Sequence, residues 1–331
     1  QLGRYEIDYS ASRPNSHCLT WQGKTKTMLA AVHCVLSYVS EDAVATNRIL
    51  VCTPSHTAAN VVTQRLSKHL KRPELFRLFD SDRPIETVPV DVLRFCCQHD
   101  KTGTFAMPPP SLLMQYRVIV CTCYDAHLLY RIGLTNAQLR VHRRCFKNYI
   151  EKACGAVNMR GYVLDVDEPH FTHLFMDEAA QATEPEALIP LSVVVDRAAG
   201  VRKAEIALVG DPRQLSPSVF SPEAAEAGLG RSLMERLLLR PVRCLGGGNN
   251  HMLGPDMIKM DDWLKYSFRQ NGHEQLSIFL TVNYRGHPSF LMMPSVLFYS
   301  DKLQITGRDN DRINDGESFW CQQLRHIERL S

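Results

Sequence analysis

Leu174-Phe-Met-Asp177-Glu178-Ala-Ala-Gln181 is the stretch that decides the fold. It begins inside an apolar run, Phe171-Thr-His-Leu-Phe-Met176, and breaks off at two adjacent carboxylates. A run this dense in apolar residues suits a strand buried on both faces, as in a parallel sheet. In open α/β sheets, ligands collect at the carboxyl ends of such strands. Working outward, four more runs share its character: Arg48-Ile-Leu-Val-Cys-Thr53, Tyr116-Arg-Val-Ile-Val-Cys-Thr122, Glu205-Ile-Ala-Leu-Val209 and Ile278-Phe-Leu-Thr-Val282. Helical patterns lie between them, at Lys24 to Tyr38, Thr57 to Leu70, Glu184 to Val195 and Arg231 to Leu239. Strand, loop and helix in alternation predict an α/β fold, a parallel sheet with helices on both faces.

Three stretches interrupt this rhythm. Residues 73–110 hold six prolines and mixed charge and read as a loop-rich excursion. Residues 131–168 read as an insertion with a basic segment, Arg140, His142, Arg143, Arg144, Lys147 and Lys152. Residues 241–275, with Gly246-Gly-Gly-Asn-Asn250, read as a surface loop.

The 331 residues are 44% hydrophobic and 22% charged, which excludes disordered, collagen-like and coiled-coil classes. No apolar stretch approaches the ~20 residues of a membrane span. Residues 1–16 are polar, without the apolar centre of a signal peptide, and read as a leader outside the fold. The eleven cysteines are irregularly spaced, so free thiols in a reducing compartment are expected rather than a zinc site. Residues 1–150 carry 19 Lys and Arg against 11 Asp and Glu, and residues 151–331 carry 19 against 24. The excess of positive charge in the first part would tolerate a polyanion.

Chemistry-bearing residues sit at the ends of the apolar runs. After Met176, the first carboxylate, Asp177, suits Mg²⁺, and the second, Glu178, suits orientation and deprotonation of an attacking water. Ala207-Leu-Val-Gly210-Asp211-Pro-Arg-Gln214 repeats the arrangement and presents Gln214, whose amide donates and accepts, to a terminal phosphate or a water. Gly23-Lys24-Thr25-Lys26-Thr27 opens an apolar helix and has the second half of a phosphate-binding loop. There the Lys24 amine would reach phosphates and the Thr25 hydroxyl would hold Mg²⁺. The first half differs: Cys18 stands where the pattern asks for glycine, and Trp21 stands where a small residue lets the backbone approach phosphate. In Thr281-Val-Asn-Tyr284-Arg285, the arginine suits stabilisation of phosphoryl charge and the tyrosine suits stacking on a base. Thr53, Pro54 and Ser55, together with Thr122, lie at strand ends where hydroxyls and helix-start amides suit a nucleic-acid backbone. Ser55 equally suits a helix N-cap.

Taken in order, these motifs resemble the Upf-type superfamily 1 helicases, in the branch of Armitage-like and Moloney-leukaemia-virus-10-like RNA helicases. Thr53-Pro-Ser-His-Thr-Ala-Ala-Asn60, Asp177-Glu-Ala-Ala-Gln181, Gly210-Asp-Pro-Arg-Gln-Leu-Ser-Pro217, Gly228-Leu-Gly-Arg-Ser-Leu-Met-Glu-Arg-Leu237 and Asn283-Tyr-Arg-Gly-His-Pro288 carry the likeness. It implies two RecA-like domains of P-loop NTPase type clamping ATP, with single-stranded RNA across them. The domain expectation is a RecA-like domain 1 over residues 17–275 with three insertions, and the truncated start of domain 2 over 276–331. By the same resemblance, Lys24 binds phosphate, Thr25 and Asp177 hold Mg²⁺, Glu178 activates water, Gln214 and Arg285 contact the γ-phosphate, and Tyr284 stacks on adenine. An ATP-dependent RNA helicase is implied, cytoplasmic or in ribonucleoprotein granules. RNA silencing or mRNA turnover would be its setting, with Argonaute-type or mRNA-decay partners. The alternatives are a catalytically impaired nucleic-acid-binding remnant, favoured by Cys18-Leu-Thr-Trp21 in place of Gly-Pro-Pro-Gly, and a DNA-directed helicase of the same superfamily.

Overall fold

The computed structural model describes residues 23–37, 47–99, 102–154, 166–238, 278–283, 288–299 and 301–305. Its elements run α1 (Lys24–Ser37), β1 (Ile49–Thr53), α2 (His56–Leu66), β2 (Leu75–Arg77), α3 (Val90–Leu93), α4 (Pro110–Leu113), β3 (Val118–Thr122), α5 (His127–Arg131) and α6 (Asn136–Cys154). Then follow β4 (His173–Met176), α7 (Glu184–Val194), β5 (Glu205–Leu208), α8 (Pro222–Ala224), α9 (Leu233–Leu238), β6 (Val282–Asn283), α10 (Pro288–Tyr299) and β7 (Gln304–Ile305).

Lys24–Ile278 forms one compact unit. Its sheet has the order β2-β3-β1-β4-β5, and every pairing is parallel. The all-apolar strands follow from burial on both faces. Ile49, Val51, Val118, Val120 and Phe175 face Met28 and Val32 of α1 and Ala59, Val62 and Leu66 of α2. The alternate residues Leu50, Cys52, Ile119, Cys121, Leu174 and Met176 face Leu129 of α5 and Ala187, Val193 and Val194 of α7. A side-chain period of two, with helices on each side, thus needs apolar residues at every position. The expected α/β fold with a parallel sheet and helices is the one observed, consistent with a RecA-like P-loop domain.

Local chemistry starts the helices. The Ser55 side chain accepts from the Ala58 amide at 3.2 Å and caps α2. Thr183 and Glu186 form a capping box at the head of α7. All strands end on the same edge, so the loops after β1, β3, β4 and β5 share one rim.

The excursion over 73–110 contains a strand that the proline content conceals. β2 pairs Leu75 with Val118 and Arg77 with Val120 at the sheet edge. Beyond it Phe79, Val88, Val92, Cys96 and Phe105 build a small apolar cluster of their own. The basic insertion is a helix, α6, whose Asn136 side chain donates to the carbonyls of Phe171 and Val194 and accepts from the Phe171 amide. Its Arg140 pairs with Asp196, and Arg143 donates to the Glu168 carbonyl. The expected loop at 241–275 lies outside the described residues.

In the second unit, β6 and β7 pair in parallel on either side of α10. Of the run expected at Ile278 to Val282, only Val282 is in the strand. The Asp301 amide donates to the Ser295 carbonyl at 2.9 Å and closes the turn after α10.

Candidate functional site

Three segments far apart in sequence meet at the carboxyl rim of β4 and β5. The first is the start of α1, where Gly23 takes φ 73, a left-handed conformation open to glycine, before the helix begins at Lys24. Thr25 Oγ1 donates to Asp177 Oδ2 at 2.9 Å, and Lys24 Nζ donates to Gln214 Oε1 at 3.3 Å. Lys26 is exposed and Thr27 half-buried, and neither bonds to these acids or to Gln214.

The second segment is the end of β4. Asp177, only 3% exposed, also accepts from the Glu178 amide through Oδ1 at 3.1 Å. Burial pushes its carboxyl above the ordinary carboxylate range, with the neighbouring Glu178 charge adding to the rise. The Thr25 hydroxyl, the Glu178 amide and the Lys24 ammonium oppose it. Glu178 itself has φ 54 and ψ 35. A left-handed non-glycine residue costs about 1–3 kcal/mol and persists only where its surroundings hold it. Here they do: the Ala179 amide donates to the Val209 carbonyl at 2.8 Å, and the Gln181 amide donates to the Glu178 carbonyl at 2.9 Å. The Gln181 side chain adds a bond from Nε2 to Glu178 Oε2 at 3.1 Å. The residue that fixes the carboxylate was therefore inside the quoted motif, but its role needs the turn geometry to be seen.

The third segment follows β5. Gln214 Nε2 donates to Asp211 Oδ2 at 2.9 Å while its oxygen accepts from Lys24, so both ends of the amide are engaged. Gly210 makes the close approach possible: a Cβ there would lie 2.9 Å from both the Ala180 amide nitrogen and the Met234 sulfur.

A cleft of about 330 Å³ opens beside these groups. Thr25, Asp177, Glu178 and Gln181 line one wall, and Ser55 and Thr57 belong to the other. Thr25 and Asp177 offer hard oxygen donors, the type a small divalent cation such as Mg²⁺ takes, so the residues present fit that ion. Among the described residues no group of three or more His, Cys, Asp or Glu could form a metal cluster. The free cysteines include Cys52 and Cys121, whose sulfurs lie 3.5 Å apart in the core.

Of the residues expected on a nucleic-acid surface, Thr53 and Thr122 are buried and their hydroxyls are engaged internally. Thr53 Oγ1 donates to the Ser55 carbonyl at 2.7 Å, and Thr122 Oγ1 accepts from the Asp125 amide at 2.9 Å. Pro54 is half-buried, and Ser55 is exposed in its capping role. Tyr284 and Arg285 lie outside the described residues. No helix among the described residues is long and apolar enough to cross a membrane.

Comparison with known proteins agrees with this architecture. A family model described as an AAA domain matches residues 21–108 and 154–222. A human protein named RNA helicase Mov10l1 is 31% identical over 86% of this chain, which spans 18% of that protein. A chicken putative helicase MOV-10 is 28% identical over 90% of the chain and 25% of its own length. A fruit-fly protein, probable RNA helicase armi, is 29% identical over 77% of the chain and 18% of its own length. The chain thus spans about a fifth to a quarter of the length of these relatives. Motifs, sheet and relatives agree in their likeness to the Upf-type superfamily 1 helicases, in their Mov10- and Armitage-like branch.

Proposed function

We propose that this chain carries the nucleotide-binding half of an ATP-dependent RNA helicase, in which ATP hydrolysis drives movement along single-stranded RNA. The observation that carries the reading is the pair of contacts from the head of α1, Thr25 to Asp177 and Lys24 to Gln214. They bring a cation, a hydroxyl, a buried carboxylate and an amide to one rim of the sheet, with Thr25 and Asp177 lining the cleft, and these are groups that phosphoryl transfer uses. Lys24 would neutralise phosphate charge, and Thr25 with Asp177 would hold Mg²⁺. Bound there, the ion would neutralise phosphate charge. Glu178, fixed by Gln181, would orient and deprotonate the attacking water, and Gln214 would sense the terminal phosphate. Arg285 and Tyr284 are proposed as the γ-phosphate and adenine contacts of the second domain. RNA silencing or mRNA turnover in the cytoplasm is the proposed setting, with Argonaute-type or mRNA-decay proteins as partners.

The test is RNA-stimulated ATP hydrolysis by this chain and by Glu178→Gln, with DNA of the same sequence as competitor. The reading expects hydrolysis that RNA stimulates and that the substitution lowers by at least ~100-fold, the usual contribution of a positioned general base. Equal background rates in both proteins would remove the hydrolase reading. Equal competition by DNA would remove the preference for RNA.

A further inference from the structure

α6 turns an apolar stripe to solvent. Thr135 caps its head, the hydroxyl accepting from the Gln138 amide at 3.1 Å. Asn136 and Leu139 are buried against the domain. On the same side Arg140 pairs with Asp196 at 2.5 Å, and Arg143 Nη1 donates to the Glu168 carbonyl at 2.8 Å. A helix on a domain surface ordinarily packs its apolar stripe on the core and gives its charges to water. Here two cations hold the inner side, and residues 144–149 are all exposed.

Helical spacing sorts the exposed residues into adjoining rows, each stepping by four. Val141, Cys145 and Tyr149 form the central row, with Val141 50% and Tyr149 68% exposed. His142 and Phe146 flank it on one side, and Phe146 is 54% exposed. Arg144, Asn148 and Lys152 flank it on the other, all three exposed. The Arg144 guanidinium lies 3.7 Å from the exposed Asp167 carboxylate, a contact of the kind that contributes little. One exposed apolar side chain needs no explanation, but a continuous stripe rimmed by charge marks a surface that another molecule covers.

The charge pattern selects among the molecules that could cover it. Five of the 19 residues of α6 are Lys or Arg against a single acid, so two copies meeting through this helix would oppose like charges. An RNA strand takes outward cations and aromatic platforms. Arg140 and Arg143 are turned inward instead, and Val141 and Cys145 hold the centre of the stripe. Rows stepping by four form the ridges and grooves into which a second helix packs.

We propose that this stripe is the docking site for an amphipathic helix of a partner protein, one whose apolar anchors cover Val141, Cys145, Phe146 and Tyr149 and whose acidic residues lie along one flank, opposite Arg144 and Lys152. Cations on one flank alone fix which way the partner helix lies. The inference goes beyond the nucleotide reading and does not depend on hydrolysis.

The experiment uses the full chain and two fluorescein-labelled synthetic helices of about 20 residues, long enough to hold helical structure. Both carry the same leucine stripe, flanked in one by glutamates and in the other by lysines. By fluorescence anisotropy the glutamate-flanked helix should bind at least ~10-fold more tightly than the lysine-flanked one. Replacing Phe146→Ser together with Tyr149→Ser should weaken it by at least ~10-fold, the scale of a lost aromatic anchor. Replacing Arg144→Glu together with Lys152→Glu should turn the preference round, to the lysine-flanked helix. All four positions are exposed, so both double variants should keep the wild-type circular dichroism and denaturation midpoint. In parallel, alkylation of Cys145, followed by mass spectrometry of its peptide, should be far faster than that of the buried Cys52. It should slow in proportion to the fraction of chain occupied by the glutamate-flanked helix. Equal affinity for the two helices, or affinity untouched by either double variant, overturns the proposal. So does a Cys145 as slow as Cys52 in dilute protein, which would mean that the chain covers its own stripe. Protection of Cys145 by raised chain concentration, by oligouridine or by anionic vesicles, without protection by the glutamate-flanked helix, overturns it in favour of a second copy, a nucleic acid or a membrane respectively.

Discussion

The Thr25 hydroxyl donates to Asp177 across 152 positions of sequence, and this single 2.9 Å bond joins the head of α1 to the acidic end of β4. It does so because β4 lies beside β1 in the sheet, with α1 packed on the face shared by Ile49, Val51 and Phe175. The bond also partly offsets the cost of burying Asp177.

Asp177 gives a prediction with a definite sign. Its carboxyl is raised by burial, so the native state holds its proton to a higher pH than the unfolded chain does. Stability falls as pH rises from the ordinary carboxylate range, about 4, through the higher native value, and stays lower above it. Asp177→Asn should therefore be more stable than wild type at neutral pH, with the gain vanishing in acid where both states are protonated. Urea denaturation at several pH values measures this. A gain that is absent at neutral pH, or that grows in acid, would contradict the assignment.

Gln181 is a positioning residue. It holds Glu178 Oε2 at 3.1 Å without lining up against the buried Asp177. Gln181→Leu should lower kcat for nucleotide hydrolysis about tenfold, the scale of a hydrogen bond to a charged group. KM for nucleotide should change by less than about twofold. Equal changes in both constants would point to general damage of the site.

Gly210 is required by contact. An alanine methyl there meets the backbone nitrogen of Ala180 and the sulfur of Met234 at 2.9 Å, and the Ala179 nitrogen at 3.1 Å. The sulfur can shift but the backbone cannot. Gly210→Ala should destabilise the domain by about 1–3 kcal/mol, the usual cost of overpacking. It should also displace Gln214 and weaken nucleotide binding. A variant of unchanged denaturation midpoint would show that the loop yields freely.

In the core, Leu174 is fully buried between the sheet and the α5–α7 side. Leu174→Ala should cost about 2–5 kcal/mol, read from the shift in denaturation midpoint. Because it sits three residues before Asp177, the same variant tests how rigidly the sheet supports the acids. Hydrolysis lost well before the fold melts would mean that the support is precise.

β1, β3 and β4 were legible because burial on both faces demands apolar residues at nearly every position, and the edge strand β5 was legible from its apolar run although Glu205 and Ile206 are exposed. Ile49 to Thr53 and Val118 to Thr122 could be read to within a residue or two. β2 was not, since it is three residues long and ends in a charge. Arg77 looks like a loop residue until Asn60, the Leu78 carbonyl and Phe79 are seen to satisfy it. The acids and the amide of the site stood out because each ends an apolar run. Their partnerships did not, since Lys24 meets Gln214 only through the side-by-side placement of β4 and β5. The His56–Asp125 pair left no pattern at all, being two single residues, one opening α2 and one in the turn after β3, that the parallel pairing of β1 and β3 brings together.

The most direct test of the proposed nucleotide site is equilibrium binding of a fluorescent ATP analogue to this chain, with and without Mg²⁺, alongside Lys24→Ala. Saturable binding that weakens at least ~10-fold on removal of Mg²⁺ and again in the variant is the expected result. Binding that is absent, or unchanged by both the ion and the substitution, would contradict it.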